Sequence, residues 1–147
     1  MLIEFDVIGI PKGQPRGRAF IRGKHASVHP DHSADDWKAL VAIEARKHLQ
    51  DKPIEGAVEV RACFRFPRIK KHYRTGKYSD QLRPDAPSQH VGTPEFDNLA
   101  KAVCDVLTQL GMWRDDCQVC DGHVIKRYVR EGERPGMSIS IAMARGL

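Results

Sequence analysis

Residues 58–66 read Val-Glu-Val-Arg-Ala-Cys-Phe-Arg-Phe, so that Val58, Val60, Ala62, Phe64 and Phe66 alternate with Glu59, Arg61, Cys63 and Arg65. A period of two sustained over such a run describes a β-strand with one buried face and one solvated face. The fold must therefore contain a sheet whose apolar side something else covers. Ile3, Phe5 and Val7 alternate with Glu4 and Asp6 in the same way, and Met137, Ile139, Ile141 and Met143 alternate with Ser138, Ser140 and Ala142. A mixed apolar run from Cys117 to Val129 predicts a fourth strand.

Two segments carry helical periodicity and supply the cover. Ser33 precedes Trp37, Leu40, Val41, Glu44 and Leu49, which predicts a helix over about 34–49, with Ser33 and Asp36 spaced as a capping box. From Asp97 onward, Leu99, Val103, Val106, Leu107 and Leu110 fall on one stripe, and Gly111 follows as a C-cap. Four strands and two helices predict a mixed α/β (α+β) domain. At 147 residues, such a chain buries roughly 68–70% of its unfolded surface in one core, so residues 1–147 read as a single small domain.

Hydrophobic residues make up 41% and charged residues 29%, which excludes a disordered chain. No window approaches 18 consecutive apolar residues, and the first residues carry Glu4 and Asp6 where a signal peptide carries Lys or Arg. The expectation is a cytoplasmic protein, with no membrane partner and with Cys63, Cys104, Cys117 and Cys120 reduced. A net charge of +5 favours a polyanionic partner, nucleic acid first.

The positive charge is concentrated in two loops. The first, at about 11–25, holds Lys12, Arg16 and Arg18 among prolines and glycines, with room for a short hairpin. The second, at about 67–92, is almost without apolar residues and interleaves Lys70, Lys71 and Arg74 with Tyr73 and Tyr78. It reads either as a solvated loop or as a segment that orders on a phosphate backbone, with tyrosines available to stack on unpaired bases.

On the second helix, Asp97, Lys101 and Asp105 recur at i, i+4 and i+8, opposite the apolar stripe. Alone, that pattern is a solvated face with an Asp–Lys pair. Further acids crowd its flanks: Glu95 before it, and Asp115 and Asp116 after the turn that follows. Such a carboxylate cluster suits Mg²⁺, which takes one or two carboxylates plus substrate phosphate. Adjacent strand residues point to opposite faces, so only one of Asp115 and Asp116 should enter the site, and Asp116 is the choice. Cys117-x-x-Cys120-x-x-His123 is a rival zinc pattern that lacks a second cysteine pair to close it.

The run Gly92-Thr93-Pro94-Glu95-Phe96-Asp97-Asn98-Leu99-Ala100-Lys101, then Asp105-Val106-Leu107, then Trp113-Arg114-Asp115-Asp116-Cys117-Gln118-Val119 closely resembles the RusA family of Holliday junction resolvases. The first loop, Gly9-Ile10-Pro11-Lys12-Gly13-Gln14-Pro15-Arg16, and Lys126 extend the resemblance. It implies a homodimer, Mg²⁺-dependent cleavage with Mn²⁺ as the alternative cation, and four-way DNA junctions as substrate in recombination and repair. Carried over by position, Asp97 and Asp116 match metal-binding catalytic acids, Lys101 matches the catalytic lysine and Glu95 stands at a further acidic position; Asp115, from the same acid cluster, is added to Glu95, Asp97 and Asp116 as a candidate metal ligand. From the two basic loops, Lys12, Arg16, Arg18, Lys70, Lys71 and Arg74 are expected to bind DNA phosphates, and Lys126 joins them through the resemblance. Glu95 stands where the family usually has Asp, one methylene longer, a displacement of about 1.5 Å. Two other readings stay open: a junction-binding protein without catalysis, and a nuclease acting on other branched DNA.

Overall fold

The computed structural model describes residues 1–15 and 18–146, with the backbone alone at 18–20 and 27–29. Four strands form one sheet in the order β1-β6-β4-β5, where β1 is Leu2–Ile8, β4 Val58–Phe66, β5 Val119–Tyr128 and β6 Gly136–Met143. β6 runs antiparallel to both β1 and β4, while β4 and β5 are parallel, so the sheet is mixed. A two-stranded hairpin, β2 (Arg18–Arg22) with β3 (His25–His29), occupies the first basic loop.

The alternating patterns converge on one face. Ile3, Phe5 and Val7 of β1, Val58, Val60, Ala62, Phe64 and Phe66 of β4, and Met137, Ile139 and Ile141 of β6 are all buried. Helices α1 (Asp35–Arg46) and α2 (Phe96–Leu110) meet that core through Trp37, Val41 and Ala45 and through Leu99, Val103, Val106 and Leu107. At about 25 cal/mol per Å² of apolar surface, this shared burial is the dominant force holding helices to sheet. Trp37 and Trp113 are core residues, and the Trp113 indole donates to Thr108 Oγ1 at 2.8 Å.

α2 ends at Gly111, whose φ of 82° lies in the left-handed region that glycine enters without a Cβ clash. α1 begins at Asp35 after Ala34, and Ser33 does not cap it. Instead the Asp31 carboxylate accepts the Ser33 N–H at 2.8 Å, so the entry is a turn built by Asp31.

The second basic loop is more ordered than its composition implies. Short 3₁₀ turns at Lys70–His72 and Gly76–Tyr78 and a bridge between Tyr73 and Leu82 organise it. Arg68 donates to the carbonyls of Val129 (3.0 Å) and Pro87 (2.6 Å). His90 stacks on Phe66 at 3.9 Å between ring centroids, and buried His72 meets the Tyr128 ring edge-on at 4.6 Å. Histidine and tyrosine rings thus do the packing that aliphatic residues do elsewhere, which is why hydropathy alone reads the segment as structureless.

Candidate active site

The site begins where α2 begins. Glu95 is the extended residue ahead of the first turn, and its Oε2 accepts from Asn98 Nδ2 at 2.9 Å. The Asp97 carboxylate accepts the Asn98 N–H at 2.9 Å, placing a negative charge in the first helical turn where the helix dipole favours it. The first loop is fastened to the same turn: Gln14 N–H donates to the Asn98 carbonyl at 2.8 Å. A Cβ on Gly13 would stand 2.9 Å from Pro94 Cβ and 3.0 Å from Asn98 Cβ, so only glycine allows this approach. Lys12 is therefore held next to the start of the helix, and its side chain is exposed.

One turn further, Lys101 Nζ lies 2.9 Å from Asp105 Oδ1 and 2.9 Å from Asp116 Oδ2. The hydrogen bond to Asp116, then those to Asp105, raise its pKa well above the ordinary lysine value, so the ammonium stays charged. Asp105 thus supports Lys101, as the i+4 spacing predicts. Beside them the Cys104 thiol is pushed up to about 11, by burial first and then by the Asp116 and Asp105 charges. It remains a neutral thiol at physiological pH.

Asp116 reaches Lys101 by a route other than strand alternation. Asp115 and Asp116 precede β5, and Asp116–Gln118 form a 3₁₀ turn. Asp115 caps this turn: its Oδ1 accepts the Cys117 N–H at 2.8 Å, an interaction that holds its carboxyl below the usual range. Gln118 completes the box, its Oε1 accepting from Arg114 N (2.9 Å) and Asp115 N (3.2 Å). Its Nε2 donates to the carbonyls of Ile54 (2.9 Å) and Gly56 (3.0 Å). Four bonds from one side chain tie the turn to the chain ahead of β4. The division of labour between the two aspartates follows from capping, with Asp115 turned to backbone and Asp116 to the lysine.

Asp97, Lys101 and Asp116 line one open cleft of about 1240 Å³, together with residues of β4, β5 and β6. Glu95 and Asp115 are not part of its lining; each is engaged with a neighbour as described. Among the described residues no three His, Cys, Asp or Glu side chains gather as an all-protein metal cage. Two carboxylates on an open cleft fit a hard cation such as Mg²⁺, which completes its shell with waters and substrate phosphate. The zinc pattern does not assemble, and all four cysteines are free.

The predicted DNA-binding cations lie on several elements. Lys70, Lys71 and Arg74 are exposed on the second basic loop. Lys126 donates to the Gly92 carbonyl at 2.5 Å, clamping the end of that loop to β5. Arg16 and the side chain of Arg18 lie outside the described residues.

With this geometry in view, the comparison with known families is decisive: the model described as Endodeoxyribonuclease RusA matches residues 9–142. The chain belongs to the RusA family. That match runs from the Gly13 loop through both acidic segments to the last strand, so every site element above lies within the RusA domain. Relatives named Crossover junction endodeoxyribonuclease RusA, from Escherichia coli (strain K12), Shigella sonnei (strain Ss046) and Enterobacteria phage 82, are 46% identical over 46 residues. That stretch is 31% of this chain and 38% of each relative, so the alignment spans well under half the length of the curated proteins it matches.

Two residues that sequence reasoning left without a role are Gln118 and Gln14. Gln118 was visible as part of the second motif, and its position three residues after Asp115 is a capping-box signal. Gln14 acts through its backbone, which leaves no mark in the sequence.

Proposed function

We propose that this protein is a Mg²⁺-dependent endodeoxyribonuclease that resolves four-way DNA junctions by paired nicks, working as a homodimer on recombination and repair intermediates. The observation that carries this reading is the meeting of Asp97, Lys101 and Asp116 on one cleft in a member of the RusA family.

Asp97 and Asp116 would hold the cation, with Glu95 and Asp115 next to them; Mn²⁺ is an acceptable substitute. Once bound, the cation would supply an activated water and charge neutralisation at the scissile phosphate. Lys101 is the residue that meets the negative charge developing on that phosphate. Its pairing with Asp105 and Asp116 keeps it protonated and fixes its direction before substrate arrives. Preorganisation of this kind avoids reorganising charge at the moment of reaction.

A four-way junction has approximate twofold symmetry, and a C2 dimer with one cleft per subunit matches it. Exposed Lys12, Lys70, Lys71 and Arg74 would meet phosphates, positioning the junction without reading its sequence. No helix among the described residues is long and apolar enough to cross a membrane.

The reading is tested with labelled four-way junction, replication fork and linear duplex in Mg²⁺. Preferential nicking of the junction supports it. Nicking of forks in preference would make the protein a nuclease for other branched DNA. Tight junction binding without cleavage in Mg²⁺ or Mn²⁺ would make it a binding protein.

A further inference from the structure

Phe96 is 65% exposed at the start of α2. On a helix it projects within about 20° of Val103 and Leu107, both of which are buried. The apolar stripe of α2 therefore continues to Phe96, where the core no longer covers it. Among the described residues the ring stacks pair Phe5, Phe66 and Tyr128 with histidines, and Phe96 enters none of them. Its place is in the cleft, directly beside Asp97, and exposed Ile125 of β5 lines the same cleft.

We propose that Phe96 is a stacking platform for a nucleobase left unpaired or unstacked at the branch point of the bound DNA. This deepens the nuclease reading and rests on it. A cleft that handles a phosphodiester with Asp97, Lys101 and Asp116 places the attached sugar and base a few ångströms away. A bare aromatic face on the same cleft has a nucleobase as its chemical complement. In a continuous duplex both faces of every base are covered by neighbours, so the ring has nothing to accept. At a branch a base can offer a free face, and stacking on an aromatic side chain is tolerant of sequence. Phosphate contacts by the basic loops would hold duplex and junction alike, whereas Phe96 favours the junction. It is a determinant of structural specificity.

The test uses full-length protein in EDTA and four-way junctions carrying 2-aminopurine at each position next to the crossover. Wild type is expected to raise fluorescence several-fold at one of these positions. Phe96→Ala should abolish the rise and weaken junction binding about tenfold, the scale of one base–aromatic stack. Duplex affinity, set by phosphate contacts, should stay within about twofold, and Phe96→Trp should restore junction affinity. Because Phe96 is exposed, an unchanged melting temperature of Phe96→Ala checks folding. Equal junction affinity and equal fluorescence for wild type and Phe96→Ala, with normal cleavage, overturns the stacking role and leaves the nuclease reading intact. Loss of dimerisation in Phe96→Ala by sedimentation, with no fluorescence change in wild type, also overturns it and assigns Phe96 to a subunit contact. Absence of junction cleavage by wild type in Mg²⁺ overturns both readings.

Discussion

Lys101 Nζ and Asp116 Oδ2 lie 2.9 Å apart although they stand 15 positions apart in the chain, joining the middle of α2 to the turn that enters β5. That contact joins two motifs distant in the chain. Lys101→Ala and Asp116→Asn are each expected to lower single-turnover junction cleavage by about two orders of magnitude or more, the scale of losing a transition-state charge. Junction affinity measured by gel shift should change far less.

Gln118 makes four hydrogen bonds that hold the Asp116 turn against Ile54 and Gly56. Gln118→Leu removes all four and leaves backbone groups without partners. At about 1 kcal/mol per bond, partly recovered by water, the loss should be about 2–3 kcal/mol. Urea denaturation measures it, and cleavage should fall in the folded variant because Asp116 is no longer fixed opposite Lys101.

Gly13→Ala tests the seating of the first loop on α2. Its Cβ would crowd Pro94 and Asn98 at 2.9 and 3.0 Å, so the loop must withdraw. Overpacking of this order costs about 1–3 kcal/mol. Thermal melting should shift down, and junction affinity should weaken as Lys12 moves away from the helix start.

The sheet, both helices and the acid–lysine face of α2 were legible because strict periods of two and 3.6 residues follow directly from backbone geometry. Asp116 rather than Asp115 faces Lys101, but by a route other than the strand alternation legible in the sequence. A 3₁₀ turn capped by Asp115 depends on Gln118 reaching Ile54 and Gly56, more than sixty residues away in the chain. The Ser33 cap failed because Asp31, two residues earlier, competes for the same backbone. The order in the second basic loop was hidden because His72 and His90, polar by composition, serve as packing rings against Tyr128 and Phe66.

Those histidines predict a pH response. Burial, then the charges of Arg68 and Lys71, hold the His72 pKa below its ordinary value, and its buried Nδ1 has no hydrogen-bond partner. The unfolded chain binds a proton near pH 6.5 that the native state refuses, so stability is full above that pH and falls below it. For one such group the slope cannot exceed about 1.4 kcal/mol per pH unit. His90 is lowered in the same sense, by burial and then by Lys126, and adds to the slope. His72→Phe keeps the ring against Tyr128 and should reduce the loss of melting temperature between neutral and mildly acidic buffer.

The central claim is that Asp97 and Asp116 with Lys101 form a metal-dependent nuclease site on one cleft. The most direct measurement maps nicks on a synthetic four-way junction, labelled on each strand in turn, with and without Mg²⁺, for wild type and Asp97→Asn. Symmetrical nicks that require Mg²⁺ and vanish in Asp97→Asn, while that variant still binds the junction, are the predicted result. Cleavage that persists in Asp97→Asn, or wild-type binding that never leads to a nick in Mg²⁺ or Mn²⁺, would contradict it.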